Sequence, residues 1–162
     1  MKNVKNPLIF IVEENQIYRD LISRYLNERK FKNVRTFENG EECLKNIRFN
    51  PDVIVLDYSM AGYNGLELML NIKKKKPRTD FIFLSAQNNV EIAVQHIQQG
   101  AFDYIVKNDH APEKLVKSLI SDIHLSRKIN LRNALRKGMI GFFTMLIFFI
   151  LFVVGIRYFL NW

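Results

Sequence analysis

Three short runs of uninterrupted apolar residues constrain the fold of this chain most: LIFIV at 8–12, VIVL at 53–56 and FIFL at 81–84. A strand that is apolar at consecutive positions buries both faces, as in a parallel sheet covered by helices on each side. Residues 34–37 and 104–106 read as two weaker strands, and helical patterns fill residues 15–30, 39–49, 65–76, 89–99 and 112–137. Five strand–helix repeats predict an α/β domain on a doubly wound, five-stranded parallel sheet. The punctuation agrees. Asn15 and Asn39 are placed to cap the first two helices, Pro112 suits a first turn, and Gly100 closes the fourth helix.

In such a sheet ligands bind beyond the carboxyl ends of the strands. The first strand ends on Glu13 and Glu14, the third on Asp57, the fourth on Ser85 and the fifth on Lys107. Clustered carboxylates repel one another unless a cation lies among them. Magnesium fits, because it takes hard oxygens from one or two carboxylates and keeps several waters. A carboxylate beside magnesium, with a lysine and a hydroxyl nearby, is equipped for phosphoryl transfer, a reaction of positioning and charge stabilisation. Asp57 is then the nucleophile, magnesium and Lys107 neutralise the phosphoryl oxygens, and Ser85 hydrogen-bonds one of them. Plainer readings stand beside these. A strand-ending Asp can be structural, Glu13 and Glu14 can be solvated first-turn acids, and Ser85 can be a simple cap.

Four stretches together resemble response-regulator receiver domains over residues 7–126. They are Glu13-Glu14, the run DYSMAGYNG from Asp57 to Gly65, Ser85-Ala86, and GAFDYIVK from Gly100 to Lys107. The resemblance implies a flavodoxin-like receiver fold and a phosphoryl group accepted on Asp57 from a sensor histidine kinase or phosphotransfer protein. It implies a Mg2+ site from Glu13, Glu14, Asp57 and Ser59. Lys107 would match the family's lysine, Ser85 its switch hydroxyl, and Tyr104 the aromatic that turns inward once the hydroxyl moves; plain strand packing is the simpler role for Tyr104. Ala86 is small, as the family favours beside the phosphoryl group. The chain departs from the pattern at Glu14, where the family usually has the shorter Asp. It departs also at Ala61 and Asn108, where proline usually stands, so the loop before the last helix loses a fixed φ and its cis peptide. His96, His110 and His124 are unclustered and read as surface or interface histidines. A degenerate receiver serving as an unphosphorylated membrane scaffold is the alternative. A metal-dependent hydrolase would need a second catalytic acid after Asp57, and Tyr58-Ser59-Met60 offers none.

The overall 48% apolar content is ordinary but uneven, since thirteen of the eighteen residues at 139–156 are Leu, Ile, Val or Phe. At 1.5 Å per residue this uncharged segment and its flanks span roughly 27–30 Å, a bilayer core. A buried core helix is the other reading, but the α/β domain is already complete before it. The expected organisation is a receiver at 1–126, a basic helical extension at 127–137 and a transmembrane helix at 138–158. Arg127, Lys128, Arg132, Arg136 and Lys137 precede the span and only Arg157 follows it. That asymmetry predicts a single-pass protein of the cytoplasmic membrane with its receiver on the cytoplasmic side. Tyr158 and Trp162 suit the far interface, and Arg157 can snorkel outward.

The net charge of +8 predicts an anionic partner. No helix-turn-helix, zinc spacing or basic groove laced with aromatics points to nucleic acid, so the anionic leaflet is expected. Basic residues also gather where helices end, at Lys30, Lys32, Arg48, Arg78 and four consecutive lysines at 73–76. Helix-dipole complementarity explains part of this, and a pole turned to the leaflet would explain the lysine run. The lone Cys43 fits a reducing compartment, and no signal peptide is expected. The last helix is expected to run unbroken to a hinge at Gly138, with Leu131 and Leu135 one turn apart as a possible homo-oligomer contact.

Overall fold

The computed structural model describes residues 6–60 and 64–160, with the side chains of 157–159 excepted. The expected departure at Ala61 and the interfacial roles of Arg157, Tyr158 and Trp162 lie outside the described residues.

The elements alternate as the apolar runs require: β1 (Ile9–Val12), α1 (Gln16–Glu28), β2 (Val34–Phe37), α2 (Gly40–Asn46), a 3-10 turn (Ile47–Phe49), β3 (Val53–Asp57), α3 (Gly65–Lys75), β4 (Asp80–Ser85), α4 (Val90–Gln98), β5 (Asp103–Val106) and α5 (Ala111–Leu160). The five strands form one parallel sheet in the order β2-β1-β3-β4-β5. Alternate side chains of each strand feed two cores, because successive residues point to opposite faces. Phe10, Ile54, Leu56, Phe81 and Phe83 pack with Leu68, Met69 and Ile72 of α3. Ile9, Ile11, Val53, Val55, Ile82 and Leu84 pack with Ile22 and Leu26 of α1 and Leu115 and Leu119 of α5.

Caps set the helix starts. Asn15 accepts from the Tyr18 N–H and Asn39 from the Glu42 N–H, as expected, while Asn64 and Asn89 cap α3 and α4 in the same way. Gly100 leaves α4 at φ +97, a region that glycine enters freely. Two expected helices are shorter than their patterns. The first ends at Glu28, followed by Lys30 at φ 72, and the second gives way to the 3-10 turn, which Asn50 closes at φ 55. Left-handed residues cannot continue a right-handed helix.

The chain divides into two compact units, residues 1–124 and 125–162. Helix α5 is continuous across Gly138, so the expected hinge is helical backbone. One interior glycine costs about 1 kcal/mol relative to alanine, which cooperative propagation on both sides outweighs. Among the described residues one helix is long and apolar enough to cross a membrane, and none of its apolar window is buried.

His96 corrects an expectation. It is not a surface histidine but is 1% exposed, on the inner face of α4. His110 and His124 are exposed.

Candidate functional site

The parallel register brings the strand ends to one rim. Val12 pairs with Leu56, Asp57 with Leu84 and Ser85 with Val106, so Glu13, Asp57, Ser85 and Lys107 arrive side by side. Glu13, Asp57 and Ser85 are all buried. The Lys107 ammonium bridges the acids, its Nζ donating to Glu13 Oε2 at 2.7 Å and to Asp57 Oδ2 at 2.8 Å. Burial raises the Glu13 carboxyl above its ordinary value; the Lys107 hydrogen bond opposes this, and the Asp57 charge adds to it. The remaining carboxylate oxygens accept backbone N–H bonds at 3.2 Å, Asp57 Oδ1 from Ser59 and Glu13 Oε1 from Asn15.

Helix α1 supplies neighbours that the sequence analysis did not single out. Arg19 Nη1 donates to the carbonyls of Glu13 at 2.5 Å and Glu14 at 3.2 Å, tying the helix to the acidic corner. The Tyr18 ring lies 4.8 Å from Lys107 Nζ. Its hydroxyl is pushed up to about 12, first by burial and then by the charges of Glu13 and Asp57. The signal for Tyr18 was its helical phase, since it precedes the buried Ile22 and Leu26 by one and two turns.

Ser85 and Tyr104 meet through Gln87, a residue sequence reasoning missed. The Gln87 N–H donates to Ser85 Oγ at 3.0 Å, and the Tyr104 O–H donates to the Gln87 carbonyl at 3.0 Å. Only the Gln87 backbone is used, so no side-chain signal marks it. Ala86, between them, is exposed. Gly65 permits the close approach of α3 to β3: a Cβ there would lie 2.7 Å from the Asp57 carbonyl oxygen.

The departures are accommodated locally. Asn108 Oδ1 accepts from the His110 N–H at 2.9 Å, so a side-chain turn shapes the loop where proline was expected. No cis peptide bond occurs among the described residues. Glu14 is half-buried and Ser59 exposed. Among the described residues no group of three His, Cys, Asp or Glu side chains converges as a metal cluster. The donor set still suits magnesium, which needs only one or two carboxylates and retains waters. The Lys107 ammonium is shared by the Glu13 and Asp57 carboxyl groups.

Residues 9–120 match the family model described as the response regulator receiver domain. The chain belongs to this family. The receiver is 35% identical over 105 residues to the DNA-binding transcriptional regulator NtrC of Escherichia coli (strain K12), covering 64% of this chain and 22% of NtrC. It is 33% identical over 100 residues to the chemotaxis protein CheY of Listeria monocytogenes, covering 61% of this chain and 84% of CheY. Thus it spans less than a quarter of NtrC but most of CheY. The BeF3-activated DrrB receiver domain matches it with a TM-score of 0.66 at 27% identity, over 74% of this chain and 98% of that one. Receivers are phosphoacceptor signalling domains of two-component systems, and they generally bind Mg2+ at the phosphorylation site.

Proposed function

We propose that this receiver accepts a phosphoryl group on Asp57 from a phosphohistidine donor, a sensor histidine kinase or phosphotransfer protein, and that its C-terminal apolar helix anchors it in a membrane. The observation that carries the reading is Lys107, whose ammonium binds Glu13 and Asp57 at the strand-end rim. An Asp57 carboxylate oxygen forms the new P–O bond as the donor's P–N bond breaks. The electron pair of that bond returns to the imidazole nitrogen, which takes up a proton. Lys107 then stands beside a phosphoryl oxygen, and Ser85 Oγ turns from the Gln87 N–H to donate to another. Glu13, Glu14, Asp57 and Ser59 would hold magnesium, which when bound neutralises the anionic oxygens. Departure of Ser85 from Gln87 frees the loop that holds Tyr104, and Tyr104 turns inward as the signal.

The apolar stretch of α5 supports single-pass insertion, and the five basic residues before it support a receiver on the cytoplasmic side against an anionic leaflet. Leu131 and Leu135, both exposed, suit pairing with a second copy. Glu14, longer than the family's usual carboxylate, favours the second reading, an unphosphorylated membrane scaffold. Labelling of the detergent-solubilised chain by acetyl phosphate separates the two. Magnesium-dependent, acid-labile label lost in Asp57→Asn supports phosphoacceptance. Label persisting in Asp57→Asn sinks the assignment, and no label in the parent leaves the scaffold.

A further inference from the structure

Lys107 carries its charge on a flexible four-carbon stem, so something besides charge must confine the ammonium if it is to stay in one place. Nζ donates to two acids, Glu13 Oε2 at 2.7 Å and Asp57 Oδ2 at 2.8 Å. Its other close neighbour is a ring, that of Tyr18, whose centroid lies 4.8 Å from Nζ. A cation over the face of an aromatic ring is attracted by the ring quadrupole, most strongly where water is kept away. The Lys107 side chain is only 18% exposed. The same acid that binds the ammonium also fixes the ring. Glu13 Oε1 accepts the Asn15 N–H at 3.2 Å, and Asn15 Oδ1 accepts the Tyr18 N–H at 3.0 Å. Arg19, the next residue, donates to the Glu13 carbonyl at 2.5 Å. The contacts close a circuit from acid to helix cap to ring to ammonium and back to the acid.

Core packing alone does not account for a tyrosine here. Its hydroxyl is buried and has no hydrogen-bond partner among the described residues. A leucine would pack against the same core without leaving a polar atom bare, but a leucine has no face to offer a cation. Burial and the charges of Glu13 and Asp57 push the hydroxyl up to about 12, so the ring meets the ammonium uncharged. We propose that Tyr18 is a positioning residue for phosphoryl transfer: its ring confines the Lys107 ammonium beside Asp57, ready for a phosphoryl oxygen as the new P–O bond forms. The inference rests on the phosphoacceptor reading. It adds to that reading a residue of α1 that acts through Lys107 rather than on the phosphoryl group, and it assigns the effect to the ring and not to the hydroxyl.

The test uses the full chain in detergent, with lysine labelled with 13C at Cε. The resonance lost in Lys107→Arg belongs to Lys107. Ring current from Tyr18 should hold its Cε protons upfield of those of ordinary lysines. Tyr18→Leu should return them to the ordinary position and slow magnesium-dependent labelling of Asp57 by acetyl phosphate by up to about tenfold. Tyr18→Phe, which keeps the face, should restore both the shift and the rate. Ordinary Lys107 shifts in the parent would overturn the inference, and that measurement stands even if Tyr18→Leu fails to fold. Labelling of Tyr18→Leu at the parent rate would also overturn it. So would a Tyr18→Phe as slow as Tyr18→Leu, which would move the role to the hydroxyl. If the parent shows the Lys107 shift but takes up no label, the phosphoacceptor reading fails and Tyr18 loses its role with it.

Discussion

At the scale of residues, the site is built from close approaches. Gly65 is the tightest: a methyl there would sit 2.7 Å from the Asp57 carbonyl oxygen and 3.0 Å from Phe83 Cε1, and backbone cannot swing aside as a flexible side chain can. Gly65→Ala should therefore lose about 1–3 kcal/mol of stability, read as a lowered urea midpoint, and should weaken Asp57 labelling. An unchanged midpoint would show that α3 can shift freely. Cys43 carries a pH prediction. Burial pushes its thiol from an ordinary 9.0 up to about 12. Between those values the unfolded thiol has lost its proton while the folded one keeps it, so rising pH favours unfolding and stability falls across the window. The contribution is at most about 1.4 kcal/mol per pH unit. Urea midpoints taken from pH 8 to 11 should fall more steeply in the parent than in Cys43→Ala, and equal slopes would mean the thiol is not the group responsible.

At the scale of elements, α4 is the least anchored helix of the α/β unit. It buries a histidine where α1, α3 and α5 bury aliphatic side chains, and Val90, Val94 and Ile97 are exposed. Its start depends on Asn89, whose Oδ1 accepts from the N–H groups of Glu91 at 2.8 Å and Ile92 at 3.3 Å. Removing a side-chain cap of this kind costs about 1 kcal/mol. Hydrogen exchange should show that Asn89→Ala speeds the amides of α4 several-fold and leaves α1 unchanged. Uniform acceleration of both helices would instead mean that α4 opens only with the whole domain. An element of low local stability beside the site is the kind that switching draws on.

At the scale of the whole molecule, the two units place their apolar side chains differently. Residues 1–124 bury their apolar side chains in two cores, whereas the apolar side chains at 139–156 are exposed throughout. If a bilayer covers them, thirteen strongly apolar residues supply roughly −4 to −8 kcal/mol of insertion free energy. Phe148→Arg, near the centre of the stretch, should remove about 2.5–3.5 kcal/mol of that and leave a measurable share of the protein extractable by carbonate. Complete retention in the membrane pellet would show that this segment is not the anchor.

The sequence by itself determined the sheet, the rim and the anchor candidate. Continuous apolar runs require strands buried on both faces, the residue after each run lands at a strand's carboxyl end, and an uncharged stretch of membrane length needs no partner to be seen. It also carried Asn15, Asn39 and Gly100, because caps act through their own neighbours along the chain. Only the tertiary structure decided what depends on contacts between distant segments. Lys107 meets Glu13 and Asp57 across 94 and 50 positions, Gln87 acts through a backbone that has no side-chain code, and Tyr18 gains its place beside Lys107, which follows β5. His96 shows the limit most plainly. Nothing in VEIAVQHIQ distinguishes a solvated histidine from a buried one, because the rings that enclose it come from the residue after β3, from β4 and from β5.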